Sequence, residues 1–358
     1  MAEVFRLTED RKSYLTSKIL PFGDSTRTGK RGHSLTSHID NTSATLIVKY
    51  LSSKRPFFNS FDIYLKQILS VLTESSIQVR SKALKCLASV VHEDPSVLSR
   101  DDMQRGVSHS FLDQATMVRE AAVDLVGKFI LHRAELIDKY YKMLSDRIMD
   151  IGVSVRKRVI KILKDICIEF PDYPRIPAIC VKMIRRIGDE EGIRKLVMEV
   201  FQNMWFVPIN DSARRRTETE NHLLVTKAHN ITDVVVSCRE TGLEWFEQLL
   251  QTLFRPKEDK DDATKIVKEP PKQLVLACQQ IVDCLVETVL KTEERSQDDG
   301  ETESRGGGQS HRIVACLTTT YLFAKIRPQL LIHHVQTLQP YLNIKCHTKV
   351  ILYIFLKE

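Results

Sequence analysis

From residue 61 to residue 206 the chain alternates apolar and polar positions with a helical period, and the alternation itself repeats. Four segments open alike, with a β-branched residue followed by arginine: Val79 and Arg80, Val118 and Arg119, Val155 and Arg156, Ile193 and Arg194. The arginines are 39, 37 and 38 positions apart. Apolar residues then follow at i, i+3, i+4 and i+7, which marks one buried helix face. The first helix uses Val79, Ala83, Leu87 and Val90; the second Val118, Ala122, Leu125, Val126 and Phe129; the third Val155, Val159, Ile162 and Ile166; the fourth Ile193, Val197, Val200 and Met204. A partner helix precedes each: one through Phe61, Leu65, Ile68, Leu69 and Leu72, then one holding Val107 and Phe111, one with Tyr140, Met143 and Leu144, and one with Ile179, Met183 and Ile187. Pro95, Pro171, Pro174, Pro177 and Pro208 punctuate the series, because proline lacks the N–H a helix needs and clashes with the preceding turn.

A period near 40 residues made of helix pairs is the signature of HEAT or armadillo arrays. The expected fold is therefore all-α, a HEAT/armadillo-type α-solenoid of stacked antiparallel helix pairs, in which neighbouring repeats bury a continuous core. An acid stands five or six positions before each arginine: Glu74 before Arg80, Asp113 before Arg119, Asp150 before Arg156 and Asp189 before Arg194. Stacked repeats would let each acid meet the arginine of a neighbour, giving a structural ladder that sets the stacking register.

Around this regular block, 45–207, the pattern changes. Residues 1–44 are rich in Ser, Thr and Gly and are expected to be weakly ordered, with a helix starting near Ala44. The repeat continues irregularly over 208–254, with helices expected at 221–229 and 231–254. A charged segment, 255–272, and an acidic segment ending in glycines, 293–310, read as flexible loops on either side of a helix at 273–292. Helices are expected again over 311–358. The last apolar run, Val350 to Leu356, has no polar cap, so the chain is expected to be a fragment or an alternative terminus of something longer.

Composition narrows the class. The chain has 358 residues with 13 Gly and 12 Pro, few for a sheet-rich fold. Its eight cysteines have no metal-ligand spacing and fall mostly in apolar helical stretches, where Cys is a small hydrophobe; they are read as reduced core residues. No secretory leader opens the chain and the longest apolar run is too short to span a bilayer, so no membrane is expected and the sequons at Asn41 and Asn230 carry no weight.

Catalytic motifs are missing. Gly23 to Lys30 imitates a phosphate loop, but five residues separate its glycines and Arg31 stands where Mg²⁺ needs a hydroxyl. His333 and His334 are adjacent, so their rings point about 100° apart on a helix and suit no metal. No enzyme activity, cofactor or metal is expected. The net charge is +7, and between Val153 and Ile187 nine basic residues face three acids. Lys157, Lys161 and Lys164, with Arg158 beside them, fall on one helix; Lys182, Arg185 and Arg186 on the next. These seven residues read either as a solvated helix face or as one patch that contacts the phosphates of a nucleic acid without reading its bases.

The stretches Asp102 to Val107, Ser154 to Leu163, Val181 to Val197, Trp245 to Leu250 and Lys325 to Leu330 together resemble the Nipped-B-like (adherin) family of sister-chromatid cohesin loaders, over roughly residues 45–346. The resemblance implies a nuclear HEAT-repeat protein with cohesin complex subunits and double-stranded DNA or chromatin as partners. It implies a role in loading cohesin and in sister-chromatid cohesion, by stimulating the ATPase of cohesin rather than by hydrolysing ATP. The family's N-terminal segment, which binds a tetratricopeptide partner subunit, has no match here, so that partner is not expected. The tail from His347 departs from the family. The rival reading of the repeat is a general HEAT adaptor, such as a transport-receptor or phosphatase scaffold.

Overall fold

The computed structural model describes residues 41–132, 134–209, 218–239, 242–255, 270–298 and 306–342; the segment 1–40 and most of 255–272 lie outside them. Every element among the described residues is helical. They divide into two units, Met1–Ile68 and Leu69–Glu358. The first holds α1 (Asn41–Ser53), which begins three residues before the expected Ala44, and the short α2 (Pro56–Asn59), with Pro56 in its first turn; the boundary falls within the last turn of α3 (Phe61–Ser70).

The second unit is a two-layer array. One layer contains α4 (Ile77–Glu93), α6 (Thr116–Phe129), α8 (Val153–Glu169) and α10 (Glu191–Trp205), each packed on the next. The other contains α5 (Asp101–Phe111), α7 (Ala134–Arg147) and α9 (Ile176–Ile184). Helix α6 is packed by α4, α5 and α8, so its buried belt is broad: Val118, Ala121, Ala122, Val123, Leu125, Val126 and Phe129. On α4 the buried stripe is turned from the expected one. Leu84, Leu87 and Val91 are inside, while Val79 is exposed. The helices of this layer approach closely at Gly127, where any Cβ would overlap Cδ1 of Ile162 on α8.

The pairing continues beyond Pro208. Helix α11 (Glu218–Arg239) packs on α9, and α12 (Glu244–Phe254) on α10. The expected break near Asn230 does not occur; α11 runs through it, and the chain turns instead at Gly242, whose φ of 106° only glycine adopts freely. Helices α13 (Lys272–Asp298) and α14 (Gly306–Ile326) form the next pair. They reach further into 293–310 than composition suggests, and 299–305 lies outside the described residues. A 3-10 turn (Pro328–His334), α15 (Val335–Leu338) and a last 3-10 turn (Gln339–Leu342) follow. Lys272–Glu294 is long and apolar enough to cross a membrane, yet its Cys278, Ile281, Val282, Leu285 and Val289 are buried among neighbouring helices. Trp205 joins the regular repeats to the later ones, with Phe201 at 4.6 Å and Phe246 on α12 at 6.3 Å between ring centroids.

Candidate nucleic-acid interface and inter-repeat ladder

The arginines of the repeat occupy one position, the fourth residue of α4, α6 and α8, and each does two things. Its Nη1 donates backward to two carbonyls of its own turn: Arg80 to Glu74 and Ser75 at 2.7 and 2.9 Å, Arg119 to Asp113 and Gln114 at 2.8 and 2.9 Å, Arg156 to Asp150 and Ile151 at 2.6 and 3.2 Å. Its Nη2, joined by Nε in Arg80 and Arg119, reaches forward to the acid of the next repeat: Arg80 to Asp113 at 2.7 Å, Arg119 to Asp150 at 2.7 Å, Arg156 to Asp189 at 3.2 Å and to Glu190 at 3.0 Å. At Asp113 and at Asp150 the backbone of the turn thus holds one arginine while its carboxylate holds another. Two of the eight residues named for the ladder stand outside this geometry. Glu74 contributes its carbonyl rather than its carboxylate, and Arg194 is exposed on α10.

Burial pulls the carboxyls of Asp113 and Asp150 upward. Hydrogen bonds from Arg80 and Arg119, and from the backbone N–H of Ala115 and Gly152, outweigh it and hold both below the ordinary carboxylate range. In return, hydrogen bonds to those carboxylates raise Arg80 and Arg119.

The seven basic residues expected to form one patch do not lie together. Helix α8 belongs to one layer and α9 to the other, and the outer faces of a two-layer array point away from each other. From α9 and its following turn, Lys182 bonds Ser145 Oγ and lies 6.0 Å from the Tyr141 ring. Arg186 stands 3.9 Å from Asp189, and Arg185 Nε is buried. From α8, Arg158 is held by Glu120 at 2.9 Å and by Asp124, both on α6, and Lys164 pairs with Asp165 at 2.9 Å. Lys161 is exposed and Lys157 half-buried. The same layer exposes three lysines that helix-by-helix reading passed over, Lys82 and Lys85 on α4 and Lys128 on α6. Their signal was the position itself: Lys85 and Lys161 both stand five residues after a ladder arginine.

Elsewhere, His334 Nε2 lies 2.6 Å from Asp283 Oδ1, while His333 is exposed. Among the described residues no group of three His, Cys, Asp or Glu side chains is placed to hold a metal. Among the described residues six cysteines are buried, but Cys86 is exposed on α4 and is no core residue.

Comparison with known proteins places this geometry. A family profile described as a HEAT repeat associated with sister chromatid cohesion matches residues 85–126, which span most of α4 to α6. The chain is 48% identical over 356 residues to the Nipped-B protein of Drosophila melanogaster, covering 96% of this chain and 16% of that protein. It is 50% identical over 347 residues to the Nipped-B-like protein of Homo sapiens, covering 97% of this chain and 12% of that protein. The chain therefore spans less than a fifth of the length of these curated relatives. Among solved structures, a C-terminal fragment of the Chaetomium thermophilum cohesin loader superposes with a TM-score of 0.60 at 24% identity, covering 94% of this chain and 22% of that one. That likeness carries the fold.

Proposed function

Because this chain belongs to the Nipped-B-like family, we propose that it is a non-enzymatic HEAT-repeat scaffold of cohesin loading, which binds cohesin and duplex DNA in the nucleus. The observation that carries the reading is identity near 50% over almost the whole chain with proteins of that name. A general transport or phosphatase adaptor would share the helix period without identity at this level.

The DNA contact falls to the layer of α4, α6 and α8. Lys82, Lys85, Lys128, Lys157 and Lys161 offer cations there on three successive helices, whereas on and after α9 Lys182 bonds Ser145, Arg186 stands beside Asp189 and all three basic residues are half-buried. Flexible lysines without interleaved aromatic rings suit phosphates rather than bases, so binding is independent of sequence. Titration of a labelled duplex at several salt concentrations tests this. Each lost phosphate contact should remove about 0.9 from the slope of log K against log salt. Replacing the five lysines by Ala should flatten the slope, and replacing Lys182, Arg185 and Arg186 should leave it. The reverse outcome would put the contact on the other layer. A pull-down of cohesin subunits from nuclear extract with the chain tests the protein partner.

A further inference from the structure

The turns that carry the ladder are built inside out. Turn residues are commonly polar, because their backbone is in water. Here the charged residue of two successive turns points inward, Asp113 to Arg80 and Asp150 to Arg119. Its apolar neighbours point outward: Leu112 is 73% exposed, Met149 63% and Ile151 84%. Met117, in the first turn of α6, is 55% exposed. Thr116 packs so closely on Gly152 that a Cβ there would overlap its methyl, so the next residues in sequence, Met117 and Ile151, lie on adjoining parts of the surface. Single exposed apolar residues are ordinary; four large ones gathered at two adjacent turns mark an interaction site.

The rim of this ridge has a sign. Arg105 and His109 on α5 and Leu112 just after it are exposed at i, i+4 and i+7, and Lys142 and Asp146 on α7 and Met149 just after it repeat that spacing. Arg105 and Lys142 bring two cations against the one acid, Asp146. The acids of the turns are already neutralised by the ladder.

We infer that the edge formed by Leu112, Met117, Met149 and Ile151 is a docking surface for an acidic–apolar segment of a partner protein, whose apolar side chains cover the ridge while its carboxylates meet Arg105 and Lys142. The inference is independent of the DNA reading, which concerns the outer face of α4, α6 and α8.

Fluorescence anisotropy with short labelled peptides tests it: one alternating Leu and Glu, one alternating Leu and Lys, one alternating Ser and Glu. The Leu–Glu peptide should bind at least about tenfold more tightly than either control. The variant L112S/M149S/I151S should weaken that binding about tenfold with helicity unchanged. The variant R105E/K142E, which leaves the ridge in place, should weaken the Leu–Glu peptide and strengthen the Leu–Lys one, and it decides the matter if the ridge variant does not fold. No binding of the Leu–Glu peptide, or equal binding of both Leu peptides, overturns the inference. So does a dimer in light scattering that L112S dissolves, since the occupant would then be a second copy.

Discussion

Arg119 and Asp150 meet across two repeats through a pair of hydrogen bonds, 2.7 Å from Nε and 2.8 Å from Nη2, with side chains only 4% and 1% exposed. Out of water, neither charge is tolerable alone. The same guanidinium bonds two carbonyls at the start of its own helix, and Gly152 N–H and Arg147 also bond the carboxylate. Every polar group brought into this junction is therefore matched, which is the condition under which a buried ion pair fixes a geometry instead of weakening it.

Removing one partner should show this. Arg119→Ala is expected to lower the stability of the regular repeats by up to about 3–5 kcal/mol, since it takes from the buried Asp150 its two-bond partner and leaves only Arg147 and one backbone N–H. Arg80→Ala should cost less, because that pair is nearer the solvent. The double change Arg119→Ala with Asp150→Ala should cost less than the two single changes summed. Urea denaturation followed by circular dichroism measures all three, and strict additivity would remove the pair as an energetic unit.

The ladder also sets an acid limit. Asp113 and Asp150 are held below the ordinary carboxylate range, so the unfolded chain takes up their protons first as pH falls. Their contribution is complete above the unfolded value, about 3.9, and is lost as pH drops through the lower folded values. Thermal stability should be flat in this contribution near neutrality and fall below about pH 4. Asp150→Asn should start from lower stability and lose less on acidification.

Close packing between repeats gives a complementary pair. A methyl on Gly127 would overlap Cδ1 of Ile162, so Gly127→Ala should destabilise by about 1–3 kcal/mol despite alanine's better helix propensity. Ile162→Val removes that terminal carbon and should restore part of the loss in the double variant. A shift in denaturation midpoint that Ile162→Val leaves untouched would mean the strain lies elsewhere.

Thiol chemistry separates surface from core. Burial pushes the Cys238 and Cys316 thiols up to about 11, while Cys86 is exposed on α4. Alkylation near pH 8 followed by peptide mass spectrometry should label Cys86 well before Cys238 and Cys316, because thiolate and access are both needed. Equal labelling would show that the array opens faster than the reagent acts.

What the sequence disclosed here, and what it withheld, follows from range. The helices and their register are local properties, and the position of Arg80, Arg119 and Arg156 relative to each turn was legible as a spacing. The partners of Arg158 were not. Glu120 and Asp124 precede it by 38 and 34 positions, and only stacking brings them to it. Counting charges along α8 and α9 likewise gave one patch, because a helical period says which residues share a face but not which layer the helix joins. The outward Leu112, Met149 and Ile151 escaped because they stand in the turns, where no helical period assigns a face, and only their exposure distinguishes them.

Arg158 then makes a prediction opposite to its charge count. It lies among the lysines proposed to meet DNA, yet Glu120 and Asp124 hold its guanidinium, and Ser154 donates to the same Glu120 at 2.8 Å. The two acids face the layer of Lys82, Lys85, Lys128 and Lys161, where they repel phosphates while Arg158 offsets them. Glu120→Gln with Asp124→Asn should free the arginine, remove two negative charges, tighten duplex binding and steepen the salt slope by about 0.9 for a new phosphate contact. Arg158→Ala should weaken binding by leaving both acids uncompensated, even though Arg158 touches no phosphate in the unaltered chain. Combining all three changes should bring affinity back above that of Arg158→Ala alone. If Arg158→Ala weakens binding and neutralising the acids leaves both affinity and slope unchanged, Arg158 contacts DNA directly and its bonds to α6 give way on binding.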